Sequence, residues 1–378
     1  MLKGLTIKNY RIFEEFELPN LGRVNLIVGM NNSGKSTLLE AIHLLTSDDV
    51  RASLLHIMDE RGEFVSGTND FDVRRARLGG YQTSQIFHAR LVDPDNLVSI
   101  SSTRGTNITL EIAVQEGNIR KGVRVQQQTL FNDSEEDVSL DSQRRERYLV
   151  LRRKVDNQNV LEEGVPITDD GLIFVEDIRF RTRVGRRPQY DQARSRLVTT
   201  NYLGYDDLAT LWDRITLTPK EDKVVESLQI LDPRVERISF TSSRTSNSGI
   251  LLKLRTETEP VPLGSMGDGM RRILAISASL VSVDDGTLLV DEIDTGLHYG
   301  ALRDMWRLVI ETAVRQRAQV FATTHSWDCV RAFQMALKDT KPEYGSLIRL
   351  ETGTEGVTSV EYSASELEIA VEQGIEVR

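Results

Sequence analysis

Nine consecutive residues, Gly29-Met30-Asn31-Asn32-Ser33-Gly34-Lys35-Ser36-Thr37, satisfy the spacing G-x-x-x-x-G-K-[ST]. Glycines let such a loop wrap until its backbone N–H groups converge on phosphate oxygens, and a helix starting at its end adds the positive end of its dipole. Lys35 then reaches β- and γ-phosphates, and the Ser36 hydroxyl ligates Mg²⁺. The expected ligand is therefore a nucleoside triphosphate, ATP with Mg²⁺, contacted by Gly29, Asn31, Asn32, Ser33, Gly34, Lys35, Ser36 and Thr37.

Hydrolysis needs a second station on a buried strand ending beside that loop, and Thr287-Leu288-Leu289-Val290-Asp291-Glu292 supplies one. Asp291 is expected to hold the metal ion through water, and Glu292 to orient or deprotonate the attacking water. His325 follows the apolar strand Val320-Phe321-Ala322 within Thr323-Thr324-His325-Ser326, where it could contact the γ-phosphate or cap the next helix. Ser265-Met266-Gly267, just before another helix, is a further anion site of the helix-terminus type. Because the phosphate loop already furnishes one pocket, this spare site makes most sense across a dimer, capping a γ-phosphate held by a second subunit.

These residues need a scaffold. Val24–Val28, between Gly22 and Gly29, is an apolar run suited to a strand buried on both faces, and Leu38, Leu39, Ile42 and Leu45 recur at helical spacing after the loop. Two short alternating strands precede it, at Leu5–Asn9 and Phe13–Leu18. The last third predicts helix over Met270–Val283, strand over Thr287–Val290, amphipathic helix over Ala301–Ala313, strand over Ala318–Ala322, and a closing strand pair within Ser346–Val360. Alternating strands and helices imply an α/β fold, a P-loop NTPase with a mostly parallel sheet flanked by helices. The expected division is a core of residues 1–47 plus 257–378 around an inserted region, 48–256. The insert holds β-like runs (Leu97–Ser101, Ile108–Val114, Val123–Leu130, Leu172–Arg181) and a partly helical stretch, Asp206–Leu231.

Charge narrows the ligand class. With 47 Lys plus Arg against 57 Asp plus Glu, the net charge of −10 argues against a general polyanion binder. Local exceptions are Arg179–Arg196, which contains seven arginines, and Arg144–Lys154; each is either a solvated face or a docking surface for DNA or a partner. The single cysteine, Cys329, cannot form an internal disulfide, and His43, His56, His88 and His298 lack metal-ligand spacing. No apolar stretch approaches the roughly 20 residues that span a bilayer, and no signal-peptide core is evident, so a soluble cytoplasmic protein without membrane contact is expected.

In this order, phosphate loop, long insertion, Ser-x-Gly signature, Asp-Glu strand and His after the next strand, the chain resembles ABC-type ATPase heads of the RecF and structural-maintenance-of-chromosomes (SMC) kind. More closely, SMGDGMRRILAI, LLVDEIDTGLHYGALRDMW and QVFATTHSWDCVRAF resemble stand-alone bacterial AAA-type ATPases allied to the overcoming-lysogenization-defect (OLD) family. The likeness covers residues 1–47 and 200–378 and implies an ABC-type head with an antiparallel β subdomain. It further implies ATP hydrolysis, with Ser265 and Gly267 as the signature, His325 as switch histidine, Asp294–His298 as a dimer-crossing loop, and Arg11 against the nucleotide. Gln82 and Gln85 are candidates for a glutamine that such heads use toward Mg²⁺. OLD proteins continue into a Toprim nuclease, for which the residues after Ser326 leave no expected room. The resemblance implies a homodimer closing on ATP, able to assemble further, that serves as motor or sensor for a separately encoded nuclease or toxin in defence against phage or mobile DNA. The alternative is a DNA-binding repair or recombination ATPase of RecF type, gripping phosphates through Arg179–Arg196.

Overall fold

The computed structural model describes residues 1–65, 79–88, 90–94, 96–102, 107–116, 147–174, 194–200, 203–241, 249–354 and 356–377. Val123–Leu130, and Leu172–Arg181 beyond Phe174, lie outside them, as does Arg179–Arg196 except for Arg194, Ser195 and Arg196.

A six-stranded sheet carries the motifs, in the order Ser195–Val198, Thr287–Val290, Gln319–Thr323, Val24–Gly29, Gly345–Gly353 and Gly356–Tyr362. The first five run parallel and the last pairs antiparallel. Its side chains alternate between two cores, as a sheet covered on both faces requires. Leu26, Val28, Leu288, Val290, Val320 and Ala322 face a core shared with the helix Asp268–Ser282 and its neighbours. Ile27, Leu289, Phe321 and Ile348 face the opposite core, which holds the helix Lys35–Thr46. Leu38, Leu39, Ala41, Ile42, Leu44 and Leu45 are all buried, because this helix is covered on its far side by a second sheet.

That second sheet is antiparallel, in the order Phe13–Leu18, Leu5–Tyr10, Leu97–Ser102, Ile108–Glu116, Arg147–Val155 and Gln158–Ile167. Cross-strand neighbours such as Ile7, Phe16 and Ile100, or Ile112 and Leu151, present its apolar face to the helix. Each sheet takes strands both from residues 1–47 plus 257–378 and from residues 48–256. Ser195–Val198 forms an edge of the parallel sheet, whereas Leu5–Leu18 belongs to the antiparallel one. Helices Tyr205–Ile215 and Pro219–Leu228 likewise bury Leu208, Trp212 and Val224 in the core of the signature helix.

The helix expected over Met270–Val283 runs Asp268–Ser282, starting two residues earlier and ending one sooner, that over Ala301–Ala313 extends to Tyr299–Arg315, and a helix over Val50–Glu60 adds to the expected set. Among the described residues no helix is long and apolar enough to cross a membrane.

Candidate functional site

Three parallel strands end side by side at Gly29, Val290 and Thr323, so the turns after them converge, as they do at the carboxyl edge of open α/β sheets. The first turn is the phosphate loop. Gly29 has φ 146°, and a Cβ there would lie 2.7 Å from the Leu350 carbonyl oxygen; Gly34, at φ 96°, caps the helix Lys35–Thr46 in the left-handed region. Asn32 also has positive φ, at 63°. The Ser33 hydroxyl is buried with no hydrogen-bond partner among the described residues. Lys35 folds back onto its loop, donating to the carbonyl oxygens of Gly29 at 2.7 Å and Met30 at 2.9 Å. Burial lowers its pKa, against the attraction of Asp291 and Glu292.

The second turn supplies the acids. Ser36 donates to Asp291 Oδ2 at 2.8 Å, so the loop hydroxyl and the strand-end carboxylate are in direct contact. Thr323 donates to Asp291 Oδ1 at 2.6 Å and accepts the Glu292 N–H at 2.8 Å. Glu292 adopts φ 47°, uncommon for a residue with a side chain. Its carboxylate faces the third turn, with Oε1 3.4 Å from His325 Nδ1. The following helix, Trp327–Asp339, is capped by Ser326 rather than by the histidine, which leaves the imidazole beside Glu292. Thr324 donates to Asp294 Oδ1 at 2.6 Å and so ties the third turn to the Asp294–His298 loop.

Arg272 joins the signature helix to this assembly. Fully buried, it donates to the carbonyl oxygens of Thr199 at 2.7 Å, Glu292 at 3.0 Å, and Asp291. Neither Arg272 nor Thr323 was singled out from sequence. An arginine in MRRILAI and a threonine ending an apolar strand are ordinary until the fold shows what they bind; their one sequence signal is a polar residue at a core position.

The remaining candidates lie elsewhere. Ser265 and Gly267 sit on the exposed turn before Asp268, with no hydrogen bond to the phosphate loop of the same chain among the described residues. His298 caps the helix Tyr299–Arg315, accepting from Gly300 N–H at 3.2 Å. Arg11, expected against the nucleotide, is instead enclosed: it donates to Glu63 and to Tyr10 Oη at 3.2 Å, and its Nε lies 3.3 Å from Glu40. Burial alone would lower the Arg11 pKa, but Tyr10, Glu63 and Glu40 together hold it above its ordinary value. The Gln85 carbonyl accepts from Arg11 at 3.5 Å, and the Gln82 N–H donates to the carbonyl oxygen of Glu63 at 3.0 Å. In the second basic patch, Arg152 and Lys154 pair with Glu111, and Arg153 donates to the helix-terminal carbonyls of Leu44 and Ser47.

The donor set suits a Mg²⁺-nucleotide. Such an ion takes few protein oxygens and keeps water and phosphate as its other ligands, which agrees with one hydroxyl against one carboxylate.

Residues 24–328 match the family model described as AAA domain, putative AbiEii toxin, Type IV TA system. The chain is 24% identical over 371 residues to the ATP/GTP phosphatase of Helicobacter pylori, covering 90% of this chain and 89% of that protein. It is 23% identical over 339 residues to the OLD nuclease of Thermus scotoductus, covering 86% of this chain and 59% of that protein. Among solved structures, an SMC head bound to the C-terminal winged-helix domain of ScpA aligns over 98% of this chain and 99% of that one, at 12% identity and a TM-score of 0.49.

Proposed function

The chain belongs to the AAA-domain family described as putative AbiEii toxin, Type IV TA system, and we propose that it is the ATP-driven component of a defence system whose effector is a separate protein. It is an ATPase of the AAA type related to the OLD proteins. The observation that carries the site assignment is the Ser36–Asp291 contact of 2.8 Å, which brings two segments 255 residues apart to the mouth of a glycine-rich loop.

Mg²⁺, held by Ser36 and through water by Asp291, would neutralise charge on the β- and γ-phosphate oxygens. Lys35 exchanges its two loop carbonyls for phosphate oxygens, and a bound polyanion offsets the burial that now disfavours its charge. Backbone N–H groups of residues 30–35 and the buried Ser33 hydroxyl complete the cradle. Glu292 accepts a proton from the attacking water, and His325, beside it, senses the γ-phosphate.

Dimerisation on ATP is the finer part of the proposal. Ser265 and Gly267 lie on an exposed turn apart from their own phosphate loop, while Met30 within that loop is 82% exposed and Tyr299 is 69% exposed. A second copy would cover these groups and place its signature over the nucleotide. The family's toxin and toxin–antitoxin association and the OLD nuclease among the relatives favour a toxin or nuclease as effector, and we take phage or mobile DNA as its target. Steady-state phosphate release, with light scattering in the presence and absence of ATP, tests this. The wild-type chain is expected to turn over ATP and to dimerise on it, whereas Lys35→Ala does neither; an undiminished rate in Lys35→Ala would overturn the site assignment.

A further inference from the structure

We propose that Thr323 is a positioning residue for hydrolysis, one hydroxyl setting both the Asp291 carboxylate and the backbone of Glu292. This rests on the ATPase site described above. Thr323 ends the strand Gln319–Thr323 and is fully buried, a place where a hydroxyl must find partners. It finds two of opposite kind. A hydroxyl has one proton, so donation to Asp291 Oδ1 at 2.6 Å leaves its lone pairs for the Glu292 N–H at 2.8 Å. The order of protons is thereby fixed from amide to hydroxyl to carboxylate, and each bond polarises the next.

Glu292 needs that support. A left-handed φ of 47° persists in a non-glycine residue only where its surroundings over-determine it. Here Thr323 holds the N–H while Arg272 holds the carbonyl oxygen at 3.0 Å. Thr323 also reaches a carboxylate oxygen of the pair, Asp291 Oδ1. The other hydroxyl on Asp291, that of Ser36, is the group that would turn to a metal ion, which leaves Thr323 as the lasting anchor of the carboxylate. Without it Asp291 can rotate and the Glu292 N–H loses its acceptor, so that the metal-side and water-side acids no longer share a frame.

Thr323→Val and Thr323→Ser in the full chain separate this role from packing. The valine removes the hydroxyl at nearly constant volume; the serine keeps it. For Thr323→Val we expect kcat to fall about 10- to 100-fold with KM for ATP within about threefold, and Thr323→Ser to stay within about threefold of wild type. Independently of turnover, binding of a fluorescent ATP analogue by Thr323→Val should need a higher Mg²⁺ concentration than in wild type, with binding in EDTA unchanged. Should the valine variant not fold, Thr323→Ala is read in the same assays with the same expectations. Wild-type turnover together with wild-type Mg²⁺ dependence in the hydroxyl-free variant would overturn the proposal, as would equal losses in the serine and hydroxyl-free variants. Absence of phosphate release by the wild-type chain would instead remove the ATPase site on which it rests.

Discussion

The helix Lys35–Thr46 carries one charged cluster at its N-terminus and another on its flank. At the N-terminus, Lys35, Asp291, Glu292 and His325 are held by strand ends and backbone bonds, while the Glu292 and His325 heads remain 36% and 59% exposed. On the flank, Arg11, Glu40 and Glu63 have side chains no more than 10% exposed and are occupied with one another, with Arg61 closing the group. Tyr10 shares that enclosure, and burial pushes its phenol up to about 12. The two clusters meet at Thr37, whose hydroxyl accepts from Arg61 at 3.1 Å. Density of charge is therefore a poor mark of a site. The distinguishing feature is a frame rigid behind and open in front: acids fixed by partners on the protein side, with reacting oxygens left toward solvent.

The sharpest test of that distinction removes one reacting group without disturbing the frame. Glu292→Gln keeps the shape and the backbone bond to Thr323, so ATP binding should survive while turnover falls about 10²- to 10⁴-fold, the range for loss of a general base. Trapped with ATP, this variant should accumulate the closed dimer, seen as a shift in size-exclusion elution. Turnover at the wild-type rate would show that the exposed acid does no chemistry and would erase the contrast between the clusters.

The converse change strikes the flank. Arg11→Met leaves Glu63 and Glu40 buried with less positive charge, and breaking such a group costs about 3–5 kcal/mol of stability. Denaturant midpoints should therefore drop markedly, while turnover per folded molecule stays within about threefold. A raised KM for ATP at unchanged stability would place Arg11 at the nucleotide, as the family resemblance implied, and merge the clusters into one site.

Why the N-terminal cluster was legible in sequence and the flank was not follows from how each is built. Strand, glycine-rich loop and helix are contiguous, so Gly29 to Thr37 announces its chemistry within nine residues. Asp291 and Glu292 end a strand whose apolar run is equally local. Arg11, by contrast, depends on Glu40 and Glu63, brought to it by packing between the antiparallel sheet and two helices that no local pattern specifies. Thr323 and Arg272 take their partners from strand register and helix docking in the same way. The parallel sheet held a similar surprise, since Ser195–Val198 joins Thr287–Val290 across more chain than any periodicity spans.

His43 extends the comparison to the far end of the helix and has the smallest expected effect. It lies in the last turn, buried, with Nδ1 2.9 Å from Ser195 Oγ on the edge strand of the parallel sheet. Burial, with lesser contributions from His56 and Arg196, lowers its pKa to about 4, against 6.5 for an ordinary histidine. Between those values the unfolded chain binds a proton that the folded chain refuses, so stability rises with pH through this window. The contribution is complete above about pH 6.5 and is lost as pH falls toward 4, by up to about 3 kcal/mol. Carboxylates titrate there too, so the informative quantity is a difference: the wild-type urea midpoint should fall more between pH 7 and pH 5 than that of His43→Gln. Equal slopes would mean that the imidazole charges without penalty, and the helix would then tolerate an open polar group at its C-terminal end as well as at the phosphate loop.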